Sequence, residues 1–331
     1  MKRLIVIVAL LASSAHAQVV ATAGRDIVVA HDGRVELFDA SLRRIWTADG
    51  VDHPSKIAVS ETRVAVIDSF ANEVHIADIS TGRIERARTS ETPIDAVFMG
   101  RNLYVLARDA GRLERVGGTS VAVTPDPAFM RAVNNRIFVY SRLDGAVQEI
   151  DPATMRVTRR VALAPFASDF ETDARTGYLV YPADAKMRTF SLATMTRGND
   201  VPAGAVPVDL AVAARENALS ASRLALADPS AKRVWVVEGT QSVTKAIARG
   251  FIRGLLGLGL FTPASSDFPT GVDRVLSRGS TTVAYDSTTQ TLYRLRGSKG
   301  TAIARDVAPG SFALAENGVA VWQNNALRLI R

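Results

Sequence analysis

An all-β fold, a single β-propeller, is predicted by three observations: a recurring proline, four short apolar segments in each period, and an aspartate closing every second segment. Pro54, Pro93, Pro127, Pro165, Pro207, Pro269 and Pro309 stand 34 to 62 residues apart, most of them close to 40. A period near 40 residues marks an array of like units. Each unit reads as a four-stranded antiparallel meander, one blade of the propeller.

The elements follow in chain order. The first blade opens without a proline at Val19-Val20-Ala-Thr-Ala23. In the second, Pro54 leads into Lys56-Ile-Ala-Val-Ser60, then Arg63-Val-Ala-Val-Ile67, Glu73-Val-His-Ile-Ala77 and Arg83-Ile-Glu-Arg-Ala87. These segments are rich in Val, Ile and Ala and are separated by Asp, Asn, Ser, Thr and Gly, the composition of strands joined by tight turns. Proline suits the start of a first strand because it fixes φ and its missing N–H costs the ladder nothing there. Asp32, Asp68, Asp109, Asp144, Asp184, Asp228 and Asp286 end the second strands, with Asn324 or Asn325 in the eighth place. An aspartate there caps its own turn through a side-chain to backbone bond. Eight marks favour eight blades, with seven and an irregular closure as the alternative. The last unit, Phe312-Ala-Leu-Ala315, Gly318-Val-Ala-Val321 and Ala326-Leu-Arg-Leu-Ile330, offers three strands rather than four.

The widest interval holds an insertion, residues 241–268, between blades six and seven. Lys245, Arg249 and Arg253 are four apart and align on one side of a short helix, with Phe251 and Leu255 among the apolar residues on another side. Such a basic amphipathic helix would dock a partner protein, lie on an anionic lipid surface through residues 242–258, or fold back onto the propeller.

Residues 1–17 read as a signal peptide. Lys2 and Arg3 precede the apolar Leu4 to Leu11, and Ala15-His16-Ala17 is a small-x-small cleavage pattern. Cleavage after Ala17 leaves residues 18–331 as one propeller domain, periplasmic or secreted, and expected to be monomeric. The apolar stretch is too short to span a bilayer, and the absence of cysteine excludes disulfides and lipid attachment at a cysteine. Without Lys2 and Arg3 the chain carries 38 basic against 33 acidic residues, nearly all of the positive charge from arginine. No basic run with interleaved aromatics occurs, so a nucleic-acid role is not expected.

The unit Arg63 to Phe98, with Val-Ala-Val-Ile-Asp68, Asn72, Val74-His-Ile, Asp78-Ile-Ser-Thr81-Gly82, Ile84 and Pro93-Ile-Asp-Ala-Val97, resembles the YVTN-type β-propeller repeat. Arg136-Ile-Phe-Val-Tyr140 through Val147-Gln-Glu-Ile-Asp151, Thr154, Val157 and Pro165 is a second, similar copy. Propellers of this type include surface-layer and periplasmic binding proteins, relatives of lactonases and distant cousins among quinoprotein enzymes. The resemblance therefore implies the fold and leaves function open. One expectation is an exported, non-catalytic module that binds a small ligand or an envelope protein. The alternative is a lactonase-like or other hydrolytic propeller enzyme.

Chemistry is expected at one mouth of the central channel, where the residues just after the prolines meet the turn aspartates. Counting from the prolines places Lys56, Asp95 and Asp209 two residues on, and Asp169 and Asp273 four residues on. If these point inward the mouth is acidic and favours a cation, a basic peptide or an amine. In the other reading they bond neighbouring backbone groups or Arg131 and set blade geometry. No catalytic residue, metal or cofactor is assigned: His31, His53 and His75 lack metal-ligand spacing, no Gly-x-Ser-x-Gly or Asp-x-Asp-x-Asp occurs, and Trp46, Trp235 and Trp322 do not repeat by blade.

Overall fold

In the computed structural model of the protein, which describes residues 18–213, 223–238, 264–279, 281–296 and 299–331, consecutive strands within each meander pair antiparallel, joined mostly by hairpin turns. The first meander is β1 (Val19–Ala23), β2 (Asp26–His31), β3 (Gly33–Phe38) and β4 (Arg44–Val51). The second is β5 (Pro54–Val59), β6 (Arg63–Asp68), β7 (Glu73–Asp78) and β8 (Ile84–Arg88). The third is β9 (Pro93–Met99), β10 (Asn102–Ala107), β11 (Arg112–Arg115) and β12 (Ser120–Ala122). β13 (Pro127–Val133), β14 (Arg136–Ser141), β15 (Ala146–Asp151) and β16 (Arg156–Ala162) form the fourth. β17 (Asp169–Thr172), β18 (Thr176–Tyr181), β19 (Lys186–Ser191) and β20 (Val201–Pro202) form the fifth, with a single 3-10 turn at Pro182–Asp184. β21 (Asp209–Ala213), β22 (Arg223–Asp228), β23 (Arg233–Glu238) and β24 (Ala264–Asp267) make the sixth. β25 (Arg274–Arg278), β26 (Thr281–Asp286), β27 (Thr291–Arg296) and β28 (Lys299–Ala304) make the seventh, joined to the sixth by one parallel pairing, Asp267 with Lys299. The last is three-stranded: β29 (Phe312–Ala315), β30 (Gly318–Gln323) and β31 (Ala326–Ile330).

The first strands stand side by side around an axis, each touching the first strand of the next meander, and β29 touches β1. Val20 N–H donates to Gly310 O at 2.9 Å across that junction. Among the described residues the apolar core falls into eight clusters, each shared by two successive meanders around the ring. In β2, Ile27 and Val29 join the cluster with the last meander, while Val28 and Ala30 join the one with the second. A strand covered on both faces has no polar side. This is why second strands such as Ile27-Val-Val-Ala30 and Leu103-Tyr-Val-Leu-Ala107 read as continuous apolar runs.

Two expectations are corrected. The insertion does not extend to residue 268, because Ala264–Asp267 forms β24, whose pairing with β23 supplies the outer strand of the sixth meander. Lys245, Arg249, Phe251, Arg253 and Leu255 lie outside the described residues. Prolines also do not all begin strands. Pro54, Pro93 and Pro127 are first residues of β5, β9 and β13, whereas Pro165, Pro207, Pro269 and Pro309 lie two to five residues upstream of theirs.

Candidate functional site at the channel mouth

Register places the side chains. Every second strand from β2 to β30 is six residues long, so positions along it compare directly between meanders. Opposite its fifth position stand Val19, Lys56, Asp95, Phe129, Asp169, Asp209 and Arg274, which share one level of the channel near the face where second strands end. In the second, third and fourth meanders a β-bulge directly after the proline brings the residue two places on to this level. Ile57, Met130, Phe170, Leu210 and Val275, the next residues along, are buried between blades. Opposite the third position are Ala21, Ala58, Val97, Arg131, Glu171, Ala211, Leu276 and Ala313. Arg131 and Glu171 are the charges of that deeper level.

The two levels meet in one network. Arg131 Nη2 donates to Glu171 Oε1 at 2.8 Å and lies 3.8 Å from Asp169 Oδ1, and Arg131 Nη1 is 3.6 Å from Asp95 Oδ2. Lys56 Nζ is 3.3 Å from Asp95 Oδ1. The carboxylates also stitch blades together: Asp95 accepts from Met130 N–H at 3.3 Å, Asp169 from Leu210 N–H at 2.9 Å, and Asp209 from Val275 N–H at 2.6 Å. In each pair the acceptor belongs to one meander and the donor to the next. Asp95 and Asp169 bond in addition to the N–H groups of Ala96 and Phe170.

Burial disfavours the Arg131 charge, but Glu171, Asp95 and Asp169 outweigh it and hold the guanidinium above its ordinary value. Burial pushes Asp169 up, Arg131 pulls against it, and Glu171 adds to the rise. Burial and the neighbouring Asp169 charge raise Asp209 well above 3.8, against the Val275 N–H and Arg274. A carboxyl that binds its proton more tightly folded than unfolded favours the fold at low pH, and that contribution is lost as pH rises through the folded value. Asp209→Asn is therefore expected to stabilise the protein at about pH 7, since the amide oxygen still accepts from Val275, and the gain is expected to shrink as pH falls towards 3.8. Chemical denaturation of both proteins at the two pH values checks this; an equal gain at both would remove the charge from the explanation.

Of the five residues expected at the mouth, Lys56, Asp95, Asp169 and Asp209 share the level and Asp273 does not. Asp273 precedes β25, gives its own N–H to Tyr285 O at 2.9 Å, and accepts from Ser287 N–H and Oγ–H in the turn after β26. Counting from Pro269 misplaced it because the linker to the strand is longer there; the exposed Arg274 takes the position. With Lys56, Arg131 and Arg274 against Asp95, Asp169, Glu171 and Asp209, the mouth is a mixed belt of charge rather than an acidic one. Glu171, missed from sequence, is legible only as the residue two places after Asp169 on the same face. Among the described residues no cluster of His, Cys, Asp and Glu is arranged to hold a metal ion, and no helix is long and apolar enough to cross a membrane.

The same face carries exposed apolar side chains. Phe70 and Leu143 sit in the turns after β6 and β14, and Phe166 and Val206 in the loops entering β17 and β21, exposed by 84, 60, 62 and 38%. Chain entering a first strand and chain leaving a second strand emerge on one side of an antiparallel meander, so all four lie on the face that bears the charged mouth. The loops of Leu143 and Phe166 touch, with Phe166 N–H donating to Arg142 O at 3.0 Å. Phe166 has φ 62°, a left-handed conformation that costs a bulky residue about 1–2 kcal/mol.

No protein-family model and no curated protein matches the chain. Solved structures do resemble it. The computationally designed Ika8 protein is 11% identical with TM-score 0.69, covering 95% of this chain and 96% of its own. BamB from Moraxella catarrhalis is 10% identical with TM-score 0.64, over 93% and 94%. The Pan2 WD40 domain of Neurospora crassa is 14% identical with TM-score 0.58, over 82% and 86%. At such identities the likeness shows the fold, a β-propeller built of repeats.

Proposed function

We propose that this chain is an exported, non-catalytic β-propeller of YVTN-like repeats that binds a protein partner in the cell envelope through the face bearing the charged mouth. The observation that carries the reading is the placement of Phe70, Leu143, Phe166 and Val206: among the described residues, four of the six large exposed apolar side chains lie on one face, while Ile45 and Val157 lie on the outer strands β4 and β16. Apolar and aromatic groups gathered on one surface mark interaction sites, and a charged centre fixes register and suppresses wrong partners. The amino-terminal sequence, with Lys2, Arg3 and the Ala15-His16-Ala17 pattern, supports export.

The test separates binding from folding. Phe166→Gly relieves the left-handed strain, so thermal melting is expected to hold or rise, while a partner captured by cross-linking in the native envelope is lost. If Phe166 is a hot spot, its loss removes about 2 kcal/mol of binding, roughly thirtyfold. Phe70→Ser is expected to act in the same direction. A partner that stays bound to the double variant would place recognition elsewhere.

A further inference from the structure

The outer rim of the ring carries a second surface. In the first seven meanders a fourth strand covers the third, and in the first and fourth a side chain of that strand clamps the turn that follows the third strand of the next meander. Trp46 of β4 donates Nε1–H to Ile79 O at 2.8 Å, and Arg159 of β16 donates to Leu192 O at 3.2 Å. In the last meander β31 is the outermost strand, and among the described residues nothing pairs with its outer edge. The corresponding place over the first meander is a cleft of about 270 Å³. Its floor is Phe38, Trp322 and Leu327; the exposed Arg34 and Arg44 at its rim pair with Asp49 at 3.4 Å and Glu36 at 2.9 Å, and Asp32 also lines it, so the cleft is of mixed charge.

The hairpin turn sets which groups β31 offers. Asn324 and Asn325 have φ 53° and 55°, a two-residue turn with both residues left-handed, which makes Gln323 and Ala326 a hydrogen-bonded pair. Alternation then turns the N–H and C=O of Leu327 and Leu329 outward. On the cleft side the strand presents Leu327 beside Trp322; on the other side it presents the exposed Arg328.

We propose that β31 and this cleft receive an extended, acidic segment of a partner protein as the fourth strand of the last meander. Strand addition supplies main-chain bonds and the cleft takes alternate apolar side chains, while on the other face the exposed Arg328, with Arg331 beyond it, selects carboxylates over cations; Arg34 and Arg44 already pair with Asp49 and Glu36. A second copy of β31 is disfavoured, because its own Arg328 and Arg331 would meet the same cations.

The probe is a short fluorescent peptide alternating valine and glutamate, titrated by polarisation against the whole protein, with a valine–lysine peptide beside it. Saturable binding of the glutamate peptide alone, weakening as salt rises and accompanied by slowed hydrogen exchange at the Leu327 and Leu329 amides, is the expected result. Arg328→Glu is expected to weaken it at least about tenfold and to bring the lysine peptide on. Leu329→Pro removes an outward N–H without breaking the pairing to β30 and is expected to weaken it similarly. No binding of the glutamate peptide, equal binding by Arg328→Glu, amides already protected in the isolated protein, or a concentration-dependent dimer of this chain would each overturn the proposal. None of these outcomes bears on Phe70 or Phe166, which lie on loops of other meanders, so the two readings fail separately.

Discussion

Arg131→Met is expected to destabilise the fold by about 3–5 kcal/mol at neutral pH, the cost of leaving buried carboxylates without their counter-ion. Arg131 lies within 4 Å of Asp95, Asp169 and Glu171 together; among the described residues only Asp95 has another cation so close, Lys56. Its side chain is 22% exposed, so screening by water is partial and the effect stays large. The sign of the pH dependence follows from Asp169, already held above 3.8 with Arg131 present. Without the guanidinium its folded value rises further, so the deficit is expected to grow as pH rises and to narrow on acidification, when the carboxyls bind protons. Denaturant unfolding at about pH 5 and pH 7 measures both. A loss below about 1 kcal/mol at the higher pH would mean that the carboxylates are hydrated and that the network is a surface one.

Trp322→Ala is expected to cost a similar 3–5 kcal/mol, through a cavity where the ring closes. Trp322 is 4% exposed, its ring centroid lies 4.2 Å from that of His31 and 6.2 Å from that of Phe38, and both partners belong to the first meander. His31 is itself fixed by Glu36 Oε2 at 2.9 Å, and Arg44 Nη1 reaches Glu36 Oε1 at 2.9 Å. Trp322→Phe separates the two roles of the indole. Among the described residues the buried Nε1–H has no acceptor, a loss of about 1–3 kcal/mol that phenylalanine avoids while keeping most of the packing. That variant is therefore expected to unfold close to the parent. If both variants were equally damaging, the N–H would have to be bonded.

What the sequence made legible was local. Asp68 and Asp286 announce strand ends because their bonds are made within a few residues, to the N–H groups of Phe70 and Ala71 and of Thr288 and Thr289, whereas Asp109, Asp144 and Asp184 lie two or three residues past their strands and bond the side chains of Thr92, Arg160 and Arg188 instead. Asp228 is buried, yet the Ala231 N–H, Ser230, the Ala205 N–H and Trp235 hold it below 3.8. The mouth was half legible. Lys56 and Asp95 are brought to their level by a bulge beside the proline, which counting along the chain can follow. Arg131 and Glu171 are 40 residues apart and meet only because neighbouring first strands stand in register, so each reads in isolation as an ordinary strand residue. His31, Glu36 and Trp322 come from opposite ends of the chain, and no local pattern joins them. The exposed rim was hidden for another reason: Phe70 and Phe166 look like core aromatics until the turns that carry them are placed.

Among the described residues each of the eight apolar clusters is shared between one meander and the next. A duplicated copy is consequently not self-sufficient when it arises: inserting or deleting a unit exchanges one pair of mating surfaces for another, and the newcomers must fit at once. Within an established ring the pressure is instead pairwise. Two touching surfaces can drift together, large for small, with no effect on the far side, and ancestry fades from the residues long before it fades from the architecture.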